Sequence, residues 1–441
     1  MTDKQKMKLG VSMRYVGYHN KAWRHPDVPA DGAIHFKHFL SIARKAEAAK
    51  IDMLFLADGL GVRASDFPPG FLCRDMKNVE LEPLTLLSAI AACTKHIGLV
   101  ATASTTYNEP FHIARKFASL DHISEGRAGW NLVTSWSKQE AWNFSRDERL
   151  GYDERYDRAS EFAEVVAGLW DSWEEDAFLR NKESGIFYDE SKLHVLNHKG
   201  RHFKVRGPLS CARTPQGRPI IIQAGASEQG RDIAAKYADV IYANPADLKA
   251  GRGYYADVKS RLKTYGRSPD DLKIMPGVTF FTGKTRDEAQ AKFDQLQDLV
   301  DPISGLGLLY TYMGDLTGYD LDGPVPEITD PVMRSLSRNH VELARRNNWS
   351  IRQLYKSVAA ADGGRYSIGT PSDLVDEMQE WFESGAADGF NVCPAILPPD
   401  LDDLTDLIIP ELRRRGLFRS EYEGTTMREN LGLRPMLFRG N

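Results

Sequence analysis

Eight short runs of β-forming residues, each followed by a stretch with helical periodicity, limit the fold of this chain more than any other feature. Most runs are apolar at consecutive positions, as in Ile220-Ile221-Ile222, which is typical of parallel strands covered on both faces. Eight strand–helix alternations favour an α/β fold, a (β/α)8 TIM barrel, over a six-stranded doubly wound sheet. The predicted strands are residues 9–13, 52–57, 97–101, 128–133, 219–224, 239–242, 274–281 and 389–392.

The chain is longer than a plain barrel requires. A barrel of this type needs about 250 residues, whereas the chain has 441. We expect residues 1–441 to form a single domain, with the surplus in insertions at about 59–82, 136–218 and 299–370 and a tail at 417–441. Insertions that follow barrel strands project from the active face, so we expect these three to wall a pocket and residues 59–82 and 299–370 to form its lid.

Charge and cysteine usage exclude several classes of protein. The 57 basic and 61 acidic residues give a net charge of −4, so the chain lacks the excess of positive charge that is typical of nucleic-acid-binding proteins. The four cysteines form no C-x-x-C pair, which argues against a zinc cage or a redox dithiol and fits a reducing compartment. The chain shows neither a signal peptide nor an apolar run of membrane-spanning length, so we expect a cytoplasmic protein that does not bind a membrane.

Polar residues stand where the predicted strands end. Asp58 closes the second strand in LFLADG, Thr102 and Ser104 follow the third, and Asn131 interrupts the apolar fourth strand. Side chains at the carboxyl ends of barrel strands bind ligands or catalyse reactions in such folds. Each also has a structural interpretation: Asp58 as a loop cap, the hydroxyls as ordinary turn residues, and Asn131 as an amide bonded within the protein.

A small-residue loop follows the fifth strand. The run QAGASEQG presents Ala226 and Ser227 at the start of a predicted helix, where free backbone N–H groups and the helix dipole favour a phosphate. A tight turn with an N-cap is the competing interpretation. A nucleophile elbow, G-x-S-x-G, is excluded because Gln229 occupies the position of the last glycine.

Other sequence patterns do not meet the requirements for a phosphate, metal or dinucleotide site. Five residues, rather than four, separate Gly277 from Gly283-Lys-Thr, which indicates a strand and a helix cap in place of a phosphate loop. His194, His198 and His202 fall four apart, but Gly200 interrupts the helix and no carboxylate completes a metal site. No G-x-G-x-x-G follows a strand, so the sequence predicts no nicotinamide-binding module.

Long motifs nevertheless resemble a known family. They are WRHPD, FLADGL, ATASTTYNEPFHIARKFASLDHISEGRAGWNLVTS, DERYDRASEF, QAGASEQGR, YDLDGPVPE, ADGFNVCP and RRRGLFRSEYEGTTMRENLGL. These runs are distributed along almost the whole chain, from residue 23 to residue 433, and are similar to the flavin-dependent monooxygenases of the bacterial luciferase-like superfamily. The resemblance is to the branch of nitrilotriacetate monooxygenase component A and dibenzothiophene sulfone monooxygenase.

The resemblance implies a luciferase-like barrel that uses O2 and reduced FMN delivered by a separate NAD(P)H:flavin reductase, without a metal. By this resemblance Tyr152 and Asn131 are the catalytic residues. The implied cofactor-binding residues are Asp58, Thr102, Ser104 and Asn131 around the ring, Tyr152 and Tyr156 reaching the flavin from the region of the fourth helix, and Ala226 and Ser227 at the phosphate.

One position departs from the family, which commonly has His where this chain has Tyr152. A phenol keeps its proton near neutral pH, whereas an imidazole can both take up and release a proton there. The departure therefore leaves open which group protonates or stabilises the oxygen adduct.

The substrate is predicted only as a class. The resemblance implies a small organic substrate, an aminopolycarboxylate, a sulfone or a thioether, and a homodimer or homotetramer. Arg63, Arg74 and Lys77 in the first insertion are candidates to meet an anionic substrate, although loop cations are usually solvated. Two other functions remain open on the same fold: a deazaflavin-dependent oxidoreductase and a non-catalytic flavin-binding protein. The pattern alone also allows a hydrolase barrel, which is weakened because Asp58 is the only clear carboxylate at a strand end.

Overall fold

The computed structural model describes residues 6–63, 65–135, 137–328 and 334–438. Its strands are β1 (Lys8–Ser12), β2 (Met53–Leu56), β3 (Gly98–Ser104), β4 (Ala128–Val133), β5 (His198–Lys199), β6 (Lys204–Val205), β7 (Ile220–Gln223), β8 (Val240–Ala243), β9 (Lys273–Thr282), β10 (Tyr366–Gly369) and β11 (Gly389–Val392). Its helices are α1 (Phe36–Ala48), α2 (Pro83–Ala91), α3 (Pro110–Ile123), α4 (Lys138–Trp142), α5 (Tyr152–Trp170), α6 (Glu228–Tyr237), α7 (Leu248–Leu262), α8 (Arg286–Asp298), α9 (Pro302–Met313), α10 (Arg334–Asn347), α11 (Ile351–Ala360), α12 (Pro371–Glu383), α13 (Pro399–Asp403), α14 (Ile409–Arg414) and α15 (Met427–Asn430).

Eight strands close into a parallel barrel. The order is β1-β2-β3-β4-β7-β8-β9-β11, and β11 pairs back to β1. Every predicted strand coincides with one of these eight within a few residues at each end, because consecutive apolar residues are buried on both the interior and the helix-facing side. The closed barrel is confirmed. The doubly wound alternative is wrong because β9 pairs with both β8 and β11 and leaves the sheet without an open edge.

The first two insertions differ in content. The described residues of the first insertion, 59–63 and 65–82, form a loop with one short helical turn at Leu72–Arg74. Residues 136–218 contain α4, α5 and the antiparallel pair β5–β6, the hairpin that the sequence indicates near KLHVLNHKGRHFKV. Both follow barrel strands directly, so they begin at the carboxyl end of the barrel.

The third insertion contains α9, α10, α11 and β10. Strand β10 pairs in parallel with Thr279–Thr282 at the end of β9, so it continues the sheet above the barrel mouth. Buried side chains of the three helices form an apolar cluster of their own, including Leu308, Leu309 and Leu354. The third insertion therefore has an apolar core of its own beside the mouth of the barrel.

The C-terminal tail lies at the opposite end of the barrel. Met427 of α15 packs inside the barrel against Met53 and Val100. Nearby, Arg419 Nη2 lies 2.7 Å from Asp52 Oδ1, with both side chains buried. The tail closes the amino end of the barrel, a role that its sequence pattern did not predict.

Among the residues that the structure describes, no helix combines the length and the apolar character needed to cross a bilayer.

Candidate active site

The floor of the barrel mouth carries an amide with one unused acceptor. Asn131 on β4 lies beside Thr102 on β3, in register. Its Nδ2 donates to Thr102 Oγ1 at 2.9 Å, and that hydroxyl donates to the Leu56 carbonyl at 2.6 Å. Asn131 Oδ1 is buried and has no hydrogen-bond partner among the described residues. Buried carbonyl oxygens are nearly always bonded, so this atom fits a ligand that donates a hydrogen bond.

A buried carboxylate connects three loops at the rim. Ser104 Oγ lies 2.8 Å from Ser135 Oγ, and Ser135 Oγ donates to Glu140 Oε1 at 3.2 Å. The same oxygen accepts from the Leu60 N–H at 3.2 Å, and Glu140 Oε2 accepts from the Ser137 N–H at 3.1 Å. Glu140 thereby holds the loops after β2, β3 and β4 in one arrangement. Ser104 is part of this framework.

The small-residue loop after β7 forms a close backbone approach to α6. Ser227 is the N-cap of α6, and its side chain accepts from the Gly230 N–H at 3.2 Å. A Cβ atom at Gly225 would lie 2.6 Å from the Gly230 backbone and would also meet Gln223 Oε1, a buried acceptor without a partner among the described residues. The loop therefore needs glycine at position 225 to approach the first turn of α6, and its position before the positive end of that helix suits a phosphate.

Tyr152 lies at this phosphate-type end. It is the first residue of α5 and is 44% exposed, and its hydroxyl donates to Gln229 Oε1 at 3.0 Å. Its ring packs against Tyr156 with the centroids 4.8 Å apart. Tyr152 thus connects the start of α5 to the first turn of α6. Gln229, the residue that excluded a nucleophile elbow, is the acceptor that joins them.

Asp58 stands at the end of β2 beside the other half of the mouth. Its Oδ1 accepts from the Gly59 N–H at 2.8 Å. Burial raises the pKa of the Asp58 carboxyl, against the opposing effects of this N–H and of Arg14. Asp58, Thr102, Ser104, Asn131 and the Ala226–Ser227 loop therefore lie at the carboxyl ends of four adjacent strands, β2, β3, β4 and β7.

A cavity of about 200 Å³ occupies the remaining half of the mouth. Tyr18, Tyr242 and Cys393 give it an aromatic and sulfur-bearing wall, and Arg14 and Asp362 add charge. Arg14 Nη2 lies 3.5 Å from Glu80 Oε1, and burial raises the pKa of the Glu80 carboxyl against the effect of Arg14. The cavity adjoins Asp58 through Ala57, so it is placed to hold a substrate next to the four-strand cradle.

The loop cations of the first insertion are engaged elsewhere. Lys77 pairs with Asp362, Arg63 Nη1 lies 3.4 Å from Asp75, and Arg74 Nε lies 3.8 Å from Asp301. None of the three lines the cavity in the described part of the chain. Their contact with an anionic substrate stays a prediction.

The three histidines spaced four apart each bind a separate carboxylate. Their Nε2 atoms lie 2.9 to 3.0 Å from the partner oxygens. The pairs are His194 with Glu174, His198 with Glu161 and His202 with Asp157. Gly277 lies in β9, and Thr285 caps α8, as the spacing indicated.

Sequence reasoning missed three polar groups of the mouth. Arg14 follows β1 as Asp58 follows β2, and Gln223 ends β7. Asn391 interrupts apolar β11 as Asn131 interrupts β4, and neither of its amide atoms has a hydrogen-bond partner among the described residues. Extending the same search for polar residues to all eight strands would have found them.

A closed parallel barrel with polar groups at the carboxyl ends of adjacent strands is the arrangement of a barrel enzyme. The model of the luciferase-like monooxygenase family matches residues 13–388, and the chain belongs to that family. It is 50% identical over 439 residues to N-acetyl-S-(2-succino)cysteine monooxygenase of Bacillus subtilis (strain 168), with 98% of each chain covered. It is 45% identical over 446 residues to nitrilotriacetate monooxygenase component A of Aminobacter aminovorans, again with 98% of each covered.

The solved structures agree with this assignment. DmoA from Hyphomicrobium sulfonivorans superposes with a TM-score of 0.88 at 33% identity, over 97% of this chain and 92% of that one. An F420-dependent secondary alcohol dehydrogenase is only 14% identical at a TM-score of 0.60, so it shares the fold alone. The chain is therefore a monooxygenase, and the deazaflavin alternative is not supported.

Proposed function

We propose that this chain is the oxygenase component of a two-component system, which uses reduced FMN from a separate NAD(P)H:flavin reductase and O2 to oxygenate a small organic substrate. The observation that carries the proposal is the buried Asn131 acceptor without a partner among the described residues, together with the N-terminus of α6 at Ser227, which suits a phosphate. The name of the 45% identical relative, component A, supports a partner component.

The residues present fit a flavin mononucleotide. The helix terminus at Ala226 and Ser227 suits its phosphate, with Tyr152 and Tyr156 at the same end. The unpartnered acceptors of Asn131 and Gln223 suit N–H and O–H donors of the cofactor. A solved relative, riboflavin lyase, contains a modified FMN; it is 29% identical, with a TM-score of 0.85 over 98% of this chain and 97% of that one.

The bound cofactor supplies the oxygen activation, and the protein supplies position and dryness. In this proposal Asn131 and Thr102 would hold the flavin ring, and Glu140 fixes the rim loops through Ser135 and Ser104. Residues 59–82 and 299–370 limit water at the mouth. Asn131 and Tyr152 remain the proposed catalytic residues, with Tyr152 reaching the cofactor from the phosphate end.

The substrate class follows from the most similar relatives. The two that are 50% and 45% identical act, by their names, on a succinylated cysteine derivative and on nitrilotriacetate. Both substrates bear several carboxylates around a sulfur or nitrogen atom. We therefore propose a carboxylate-bearing thioether or tertiary amine, held in the cavity beside Arg14 and Tyr242.

The test supplies a flavin reductase, NADH, FMN and labelled oxygen (¹⁸O2), and follows products by mass spectrometry. N-acetyl-S-(2-succino)cysteine, nitrilotriacetate and dimethyl sulfide are the substrates, and a reduced deazaflavin replaces FMN in a parallel reaction. We expect one ¹⁸O atom in the product of a carboxylate-bearing substrate. Hydrogen peroxide alone with all three would refute the substrate class, and turnover with the deazaflavin in the absence of O2 would refute the oxygenase. Light scattering tests the homodimer or homotetramer that we propose.

A further inference from the structure

A second cavity lies at the amino end of the barrel, away from the mouth. Its volume is about 750 Å³, within the usual range for small-molecule sites. Arg218 precedes β7, Asp239 precedes β8, and Asp271 precedes β9; all three line the cavity. The tail segment Arg434–Phe438 forms its outer wall, held by a hydrogen bond from Arg213 Nη2 to the Met436 carbonyl at 2.7 Å.

The wall of this cavity is positively charged. Five basic and three acidic side chains line it among the described residues. The acidic groups already have basic partners. Arg428 donates to both oxygens of Asp239 at 3.1 and 3.3 Å, Arg434 pairs with Asp271, and Arg213 donates to Asp171 at 2.6 Å.

Arg218 lines this wall without a hydrogen-bonded counterion among the described residues. Its side chain is only 12% exposed, and its guanidinium makes no hydrogen bond to the part of the chain that the structure describes. The nearest carboxylate oxygen, Asp239 Oδ1, lies 4.0 Å from Arg218 Nη2 and belongs to the Arg428 pair.

Burial lowers the pKa of Arg218 to about 10, so the guanidinium is still charged at neutral pH. A charge kept in a nearly buried position without a bonded partner is unfavourable unless a ligand or solvent compensates it.

We propose that this cavity binds a small phosphate-bearing dianion, with Arg218 as its principal donor. A guanidinium presents two parallel N–H groups to a phosphate, and a dianion matches the excess of two positive charges in the wall. Tyr265, Leu433 and Phe438 add an apolar side that suits the organic part of a phosphate ester. The shared chemistry is the phosphate, whether free or esterified.

Calorimetric titration at constant ionic strength tests the proposal. The probes are inorganic phosphate and phenyl phosphate, and every titration contains saturating FMN because the candidate active site also suits a phosphate. The variant is Arg218→Met, which removes the charge and keeps an extended side chain. The matched control is Arg115→Met, the same change at an exposed position of α3.

The wild-type protein and Arg115→Met should bind at least one probe saturably, and Arg218→Met should bind it at least tenfold more weakly. Arg218→Lys, which keeps the charge but loses the paired N–H groups, should fall between them, and this variant keeps the test valid if Arg218→Met does not fold. Tighter binding of phenyl phosphate supports an ester, and tighter binding of inorganic phosphate supports the free ion. Absence of saturable binding to the wild type, or equal binding to both Arg218 variants and the wild type, would overturn the proposal. Monooxygenase turnover by Arg218→Met without phosphate should stay within twofold of the wild type, so this test is independent of the proposed function.

Discussion

Replacing Asn131 by Leu should change the stability of the flavin-free protein and its affinity for FMN in opposite directions. Asn131 Oδ1 is a buried acceptor without a partner in the described structure, and Nδ2 makes one hydrogen bond, to Thr102 Oγ1 at 2.9 Å. An unsatisfied buried polar group costs about 1–3 kcal/mol, whereas an ordinary hydrogen bond contributes about 1 kcal/mol. Leu has the same branched shape and removes both the cost of the unsatisfied acceptor and the gain from the hydrogen bond. We therefore expect the free energy of unfolding without flavin to stay level or rise by about 1 kcal/mol.

The affinity for FMN should fall. The variant offers no acceptor to the cofactor group that faces position 131, and loss of one such bond corresponds to about tenfold or more in the dissociation constant. Fluorescence titration of FMN measures this change. For a chain of 441 residues, 1 kcal/mol shifts the melting temperature by only about 1 °C. Denaturant titration is therefore the better stability assay.

Thr102→Val provides the contrasting control. It removes the hydroxyl that accepts from Asn131 and donates to the Leu56 carbonyl, so it leaves the buried Asn131 Nδ2 without its acceptor. We expect it to destabilise the flavin-free protein by about 1–3 kcal/mol. If Asn131→Leu destabilised the flavin-free protein as much as Thr102→Val while FMN bound normally, Asn131 would be a structural amide and our reasoning on its acceptor would be wrong.

Three further predictions concern the rim, the loop before α6 and pH. Glu140→Ala removes a carboxylate that accepts from two backbone N–H groups and a serine hydroxyl, so the free energy of unfolding should fall by about 3 kcal/mol in a denaturant titration. Gly225→Ala should weaken FMN binding at least tenfold because its Cβ meets the helix backbone, whereas Gly253→Ala on α7, with nothing within 4 Å, should leave FMN binding unchanged. Burial raises the pKa of Asp400 from 3.8 to about 7, so the folded state retains a proton that the unfolded state has lost, and stability should decrease as pH rises from about 4 to 7. In Asp400→Asn the free energy of unfolding should change little between about pH 4 and 7. An equally steep decrease in the variant would show that groups other than Asp400 cause the pH dependence.

Patterns along the chain predicted the barrel because burial on two faces leaves a signal in neighbouring residues. Runs such as Ile220-Ile221-Ile222 mark the strands, and helices with caps such as Thr370-Pro371 separate them. The same logic found Asp58 and Asn131, since a polar residue at the end of an apolar strand is visible in a short window. It missed Arg14 and Asn391, although the signal was the same.

Other features depended on contacts between distant residues. Glu140 connects three loops that lie far apart in sequence, and Tyr152 meets Gln229 across 77 positions. The tail pattern held no indication that Met427 would enter the amino end of the barrel. The pairing of Arg63, Arg74 and Lys77 with carboxylates was equally invisible, because charge in a loop does not specify its partner.

The sequence by itself determined the closed barrel, the strand ends where chemistry is placed, and the family. Only the tertiary structure decided which acceptors stay without a partner, which loop cations are paired with carboxylates, and that Tyr152 bonds to Gln229 at the start of α6. The physical reason is range: periodicity and strand-end chemistry act over a few residues, whereas hydrogen-bond partners and ion pairs are set by how the closed barrel brings separate strands and insertions together.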